Sequence, residues 1–256
     1  MIGFLLAALM GVVLGLLGGG GSILTVPILV YFFNISATLA TAYSLFVVGI
    51  TSLIGAIQYR HQLNVMIGIL FAVPSTLGVI LSRRYILQAL PNEIYIFNRL
   101  LTKDDLVMLV FAILIVVIAF FMLKAKDKYK VESKSLSIQS ITFVAIEGFV
   151  VGGVTGFVGA GGGFMIVPAL TLLVGIPIKE AIATSLLIIA VKSLIGFLAD
   201  LQMDVAIDWS FLLLFSTITI IGGICGGLIS RKVSAQKLRR LFAYFVLVVG
   251  LIILLV

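Results

Sequence analysis

Apolar residues fill this chain in long runs, and polar residues are confined mostly to the gaps between them. A helix needs about 20 apolar residues to cross the ~30 Å of a bilayer's hydrocarbon. The pattern predicts two sets of five segments. The first set is Ile2–Leu17, Ser22–Phe33, Thr38–Gln58, Val65–Leu81 and Leu106–Leu123. The second is Ile138–Val158, Phe164–Val174, Lys179–Ala199, Trp209–Ile229 and Lys237–Val256. Two of the ten, Ser22–Phe33 and Phe164–Val174, hold only about 11–12 residues, or ~17 Å of helix. They are expected as half-helices.

Each half-helix follows a glycine run and carries Val-Pro at the same spacing: Gly18, Gly19, Gly20 and Gly21 before Val26-Pro27, and Gly159, Ala160, Gly161, Gly162 and Gly163 before Val167-Pro168. Glycine and proline both interrupt a helix, the first through conformational freedom, the second through its missing donor. A break at membrane depth survives only where protein buries it or a cavity wets it. Pro27 and Pro168 are read as kinks that seat the short helices.

The two breaks belong to a duplication. Shifting the chain by 141 residues lays Gly11–Asn64 on Gly152–Val205 without a gap, with 18 of 54 positions identical. The matches include Gly15/Gly156, Pro27/Pro168, Ser44/Ser185 and Ser52–Gly55/Ser193–Gly196, and Ser82-Arg83-Arg84 echoes Ser230-Arg231-Lys232 after a small gap. Internal repeats are a common build of secondary transporters. The organisation expected is a first membrane repeat over 1–124, a cytoplasmic basic loop over 125–137 and a second repeat over 138–256.

Charge sets the orientation. Lys124, Lys126, Lys128, Lys130 and Lys134 crowd one connection, Arg231, Lys232, Lys237, Arg239 and Arg240 another, whereas Asp200–Asp208 holds acids without a base. Placing both basic connections in the cytoplasm requires each glycine-broken pair to enter and return on one side. Three full crossings per half then remain. An odd number inverts the second half relative to the first, with both termini outside. The loop Arg83–Lys103 strains this scheme, because it places four bases on the outer side.

Composition narrows the class. The 256 residues are 62% hydrophobic and 11% charged, about half the charge of a soluble domain, so a multi-pass protein of the cell membrane with no soluble domain is expected. Ile2–Leu17 lacks the basic start and small-residue cleavage site of a signal peptide and is read as retained. One cysteine, Cys225, and one histidine, His61, argue against an internal disulfide, a metal centre or any other cofactor. The net charge of +7 follows from the basic connections, not from a nucleic-acid surface. Gly18–Gly21 is not a dinucleotide loop, since that fingerprint needs a strand before it and an acid about 20 residues on. No enzyme activity is expected.

The candidate chemistry is anion binding. A half-helix starting just after Gly21 or Gly163 aims unpaired N–H groups and the positive end of its dipole at the glycine run. Inverted symmetry brings two such ends together near the bilayer midplane. Ser22 is the expected N-cap of the first half-helix, and Gly163 replaces it in the second. Lys192, in the middle of Lys179–Ala199, is a buried-cation candidate that neutralises the anion, pairs with Glu147 or snorkels toward Asp200. Its repeat mate is Thr51. Ser185 shares its face two turns away, and Ser44 is the matching hydroxyl in the first half. Glu147, a carboxylate inside an apolar segment, is a proton-coupling candidate. Thr51 and Ser52 are read as bonding backbone carbonyls, Cys225 as a small packed residue among glycines, and Tyr59, Tyr85, Trp209 and Tyr244 as interfacial anchors.

The doubled motif G-x-x-G-x-G-G-x-x-x-x-V-P, standing here as Gly15–Pro27 and Gly156–Pro168 with Ala183–Leu187 and Ser193–Gly196 downstream, resembles the TauE/SafE family of sulfite exporters. The resemblance covers essentially the whole chain. It implies an all-α multi-spanning anion permease associated with export of sulfite, sulfoacetate or related organosulfonates. Lys192 stands where the family pattern suggests a neutral residue. The reading is thus a secondary transporter with a small anionic substrate and the lipid bilayer as partners. An anion channel of the same architecture, or a carrier of another small oxyanion or carboxylate, is the alternative. Proton or sodium stays open as the coupling ion, and a homo-oligomer stays open too.

Overall fold

The computed structural model describes residues 2–91, 93–96, 99–124, 138–159, 161–202 and 206–230, with positions 244, 247, 248 and 251 of the C-terminal segment. The first half comprises α1 (Ile2–Leu17), a 3-10 turn (Gly20–Leu24), α2 (Thr25–Phe33), α3 (Ala37–Gln58), α4 (Val65–Leu81), a π-helical turn (Ser82–Ile86), α5 (Leu87–Ala89) and α6 (Lys103–Lys124). The second comprises α7 (Ile138–Val158), α8 (Gly163–Ala169) running into a π-helical turn (Leu170–Val174), α9 (Ile178–Leu201) and α10 (Trp209–Ser230). The last predicted segment, Lys237–Val256, and the basic stretch 125–137 lie almost wholly outside the described residues.

Expected and observed helices agree closely at most ends, with one correction. The stretch Arg83–Lys103, read as a loop, begins as a continuation of α4 through the π turn and α5 and then forms a hairpin. In it β1 (Glu93–Ile96) pairs antiparallel with β2 (Arg99–Thr102), with Glu93 opposite Thr102. The architecture is otherwise an all-α membrane bundle. Four helices among the described residues are long and apolar enough to cross a bilayer, and α1 and the Gly21–Phe33 run are shorter. Large apolar side chains on the outside of the bundle, Leu5, Met66, Ile146 and Ile221 among them, are exposed as lipid-facing residues are.

Contacts fix the helix directions. The start of α1 meets the end of α2, where a Cβ on Gly3 would touch the ring of Phe33, so the broken pair returns to the face it left. Thr38 at the start of α3 donates to Asp104 at the start of α6 (2.6 Å), and the Asp208 N–H, just before α10, donates to the Tyr43 hydroxyl (2.7 Å). These residues define the N-terminal face. On the opposite face Asn64, ahead of α4, donates to Glu180 at the start of α9 (2.7 Å). Thus α6 and α10 run the same way and deliver Lys124 and Ser230 to the same face.

The packing exchanges the two halves. Glycines let α1 lie against α10, through Gly11, Gly15, Gly222 and Gly226, and let α7 lie against α4 through Gly148, Gly152 and Gly156. In each pair the helices run parallel. Between the halves α3 crosses α9: Leu45 meets Gly196, Gly49 meets Leu194 and Gly55 meets Leu186, so numbering rises on one helix as it falls on the other. The ends of the half-helices match as well, since Asn34 and Gly175, which occupy matched positions, both adopt positive φ.

Candidate functional site

The two glycine breaks meet. A Cβ on Gly163 would stand 2.5 Å from the Gly19 Cα, and one on Gly19 would stand 2.8 Å from the Gly163 Cα. A Cβ on Gly161 would in turn lie 3.4 Å from the Ser22 Cβ. No side chain larger than hydrogen fits at Gly19 or Gly163. Val48 and Ile189, which touch this junction from α3 and α9, stand near the middle of their helices, so the contact lies near half-depth.

Each long helix lines the break of the other half. On α9, Ile182 covers Gly18, the Ser185 hydroxyl donates to the Gly18 carbonyl (2.8 Å), and Ile189 covers Gly19. On α3, the matched positions Thr41 and Val48 cover Gly159 and Gly161. Ser44 shares that helical face, is fully buried and leaves its hydroxyl without a partner. The repeat therefore sets the wall, and the second run keeps a polar atom unsatisfied.

The breaks themselves differ. The first closes at once into the 3-10 turn from Gly20, with Gly19 at φ 110° ahead of it. Ser22 is not its N-cap, a correction to the sequence reading: its hydroxyl donates to the Gly19 carbonyl (2.7 Å), because the turn starts two residues before it. Gly21 packs on the backbone of α1 at Met10 and Leu14. The second break stays unwound longer. Gly159, Gly161 and Gly162 all hold positive φ, and α8 starts only at Gly163. Its first intrahelical bonds run from Met165 and Ile166 to the Gly162 carbonyl, leaving the N–H groups of Gly163 and Phe164 ahead of the ladder, as at any helix start. Ala160 lies outside the described residues.

Lys192 arrives at this second break. Its Nζ donates to Thr155 Oγ1 at 2.7 Å, and a Cβ on Gly162 would stand 2.9 Å from it. The residue is 1% exposed. Among the described residues it forms no ion pair, so of the alternatives open in the sequence neither pairing with Glu147 nor snorkelling toward Asp200 is seen. Asp200 is taken by another residue, and Lys192 turns inward because Ser185, Ile189 and Lys192 occupy the face of α9 that lines the junction. One hydrogen bond leaves two of an ammonium's three N–H groups for a ligand. Glu147 lies two turns before Thr155 on α7, about 12 Å along the helix, with Oε2 buried and unpartnered.

Sequence reasoning missed Arg83. The π turn after α4 rotates it inward, where it is 1% exposed. Its Nη1 donates to Thr41 Oγ1 (2.9 Å), Thr41 packs on Gly159, and Nη2 lies 3.3 Å from Asp200 Oδ2. The signal was Ser82-Arg83 following an apolar run without a turn residue between; reading the stretch as a loop hid it. Tyr59, repeat mate of Asp200, is likewise not a surface anchor. Its hydroxyl bonds Ser230 and the Gly227 carbonyl (3.2 Å) on α10. Of the remaining readings, Thr51 does bond a backbone carbonyl, that of Val47 (2.7 Å), whereas Ser52 and its mate Ser193 are both buried without a partner. Cys225 is exposed on α10 instead of packed among its glycines.

Known proteins resemble the chain over nearly its full length. A probable membrane transporter protein of Xylella fastidiosa is 29% identical over 96% of this chain and 91% of its own. The probable membrane transporter protein YunE of Bacillus subtilis is 26% identical over 96% of both chains. A third, from Methanocaldococcus jannaschii, is 25% identical over 98% of this chain and 95% of its own. No solved structure matches the chain. The family model described as "Sulfite exporter TauE/SafE" matches residues 3–253, and this membrane transporter belongs to that family.

Proposed function

We propose that the chain is a secondary carrier that exports small sulfur-containing anions such as sulfite, sulfoacetate or other organosulfonates. The observation that supports this reading most directly is the Lys192 ammonium beside Gly162, at the point where two backbone breaks touch. The binding set is Gly18–Gly21, Ser22, Ser44, Gly159–Gly163, Ser185 and Lys192. Unpaired backbone N–H groups supply partial positive charge and hydrogen bonds, and Lys192 adds a full charge in a site of low dielectric. Sulfite and sulfonates offer several acceptor oxygens on one small centre, which suits donors converging from two directions.

The antiparallel crossing of α3 and α9 favours an inverted repeat of 1–124 and 138–256 about an axis in the membrane plane. With the basic stretches after Lys124 and Ser230 in the cytoplasm, both termini of this cell-membrane protein face outward. Glu147 carries the coupling proton. In proteoliposomes the protein should move radiolabelled sulfite or sulfoacetate faster than sulfate or small carboxylates, with saturation and a response to an imposed pH gradient. Flux that never saturates and follows voltage alone would favour an anion channel instead.

A further inference from the structure

The ion pair at the N-terminal face is built unlike a strut. Arg83 and Asp200 are both buried, yet the contact is made at 3.3 Å without hydrogen-bond geometry. Arg83 Nε and Nη2 and Asp200 Oδ2 all lack hydrogen-bond partners. A guanidinium presents a planar fork suited to a two-oxygen acceptor, and here that fork is only half used. Its remaining arm is fixed by Thr41, whose backbone and Cβ pack on Gly159, the first residue of the second break. The fork therefore sits one side chain away from the junction, held in orientation by the helix that lines it.

The matched place in the other half is occupied differently. Tyr59 stands where Asp200 stands in the repeat, and it ties the end of α3 to α10 with neutral hydrogen bonds. Asp200 ties the end of α9 to the end of α4 with a carboxylate. At the N-terminal face the carboxylate is thus buried against a guanidinium, whereas on the opposite face the Glu180 carboxylate meets the neutral amide of Asn64.

We propose that Arg83 is a second anion-receiving residue, and that the Asp200 carboxylate holds its place until an incoming or departing oxyanion displaces it. Exchange at Arg83 frees the end of α9 from α4 and opens that face only when an anion takes over the charge. This inference rests on the reading of the cargo as an anion and assigns to it a regulated passage at one face.

The test uses the protein's one tryptophan. Trp209 packs edge-on against Phe197, three residues before Asp200, and against Phe46 on α3, so its emission reports movement at this face. Sodium sulfite and sodium sulfoacetate are titrated into the purified full-length protein in its wild-type, Asp200→Asn, Arg83→Gln, Lys192→Met and Arg83→Gln/Asp200→Asn forms. Anion-free Asp200→Asn should already show the emission of anion-saturated wild type, and in calorimetric titration it should bind anions at least about tenfold more tightly, since the competitor is gone. Arg83→Gln should lose the response, and Lys192→Met should keep it with a weaker midpoint. The double variant restores a neutral pair and guards against loss of fold in either single change. It should be folded, silent to anions and slow in transport.

A wild-type midpoint in Asp200→Asn, or wild-type transport by the double variant, would reduce the pair to a strut. The transport reading fails separately. If proteoliposomes move no sulfur anion while Asp200→Asn gains Arg83-dependent binding, this inference stands alone. If sulfite is transported and Asp200→Asn binds as wild type does, it falls alone.

Discussion

The two glycine breaks are copies in sequence and opposites in surroundings. Around the first, Ile182, Ser185 and Ile189 form a neutral wall, the Ser185 hydroxyl is spent on the Gly18 carbonyl, and the backbone winds into a 3-10 turn. Around the second, the chain is unwound at Gly159, Gly161 and Gly162, the Ser44 hydroxyl is unspent, and two buried cations converge: Lys192 at Gly162 and Arg83 through Thr41 at Gly159. Duplication supplied a symmetric frame of backbone. Charge was then placed on one side of it. On the proposed reading the frame places the binding site at half-depth, and the asymmetry is what makes it a site for an anion.

The comparison is broken most severely by filling the contact itself. Gly161→Leu and Gly19→Leu should each reduce transport at least a hundredfold while the protein still inserts. The first puts a branched side chain at φ 64° against Val48, the second at φ 110° against Ile189 and Gly163. Equal losses in vesicle flux at matched expression would show that both breaks are needed. Normal flux in either variant would return that glycine to a packing role.

Next in size is Lys192→Met against its repeat mate, Thr51→Val. The lysine variant should raise the apparent KM for sulfite about tenfold or more, equivalent to ~1.4 kcal/mol. The threonine variant should change it less than about twofold, because Thr51 only bonds the Val47 carbonyl on its own helix. Similar shifts in both would mean that charge does not distinguish the halves.

Glu147 has no ion-pair partner among the described residues, which sharpens a question that sequence left open. Since it does not neutralise Lys192, Glu147→Gln should flatten the pH dependence of transport and leave the KM of Lys192→Met unchanged in the double variant. An unaltered pH profile would remove it from coupling. The smallest effect expected is that of Tyr59→Phe. Its hydroxyl links Ser230 and the Gly227 carbonyl, and loss of such a neutral bond costs about 1 kcal/mol. Transport should fall no more than about threefold, well short of the change in Asp200→Asn at the other face.

Most of this frame was legible in sequence because its determinants are local. Helix length follows from apolar run length, and Gly18–Gly21 and Gly159–Gly163 announce their breaks without knowledge of the fold. The contact partners were not read in advance, although Thr41/Ile182 and Val48/Ile189 turn out to be matched pairs of the repeat doing matched work. What stayed hidden depended on a side chain's azimuth or on a backbone register. Arg83 faces inward only because a π turn adds a residue to the helical ladder, and Ser22 lost its capping role because a 3-10 turn began two residues earlier. Lys192 could be placed on a face but not given a partner, since Asp200 was claimed by an arginine that sequence had put in a loop. The hairpin Glu93–Thr102 was lost in the same misreading.

The inverted repeat proposed from the antiparallel crossing of α3 on α9 would have a consequence for populations. Were the two halves identical, any arrangement open to one face would have a twin open to the other, related by exchanging the conformations of the halves and equal to it in free energy. Such a molecule at rest would divide its time evenly between the two. Each place where the second half departs from the first therefore weights one twin against the other: Lys192 for Thr51, Asp200 for Tyr59, Gly163 for Ser22. A weighting of 1.4 kcal/mol makes one state ten times more common than its twin. On the proposed carrier reading, the handful of unmatched residues around the junction would set which way this protein waits for its cargo, while the gradients across the membrane set which way the cargo goes.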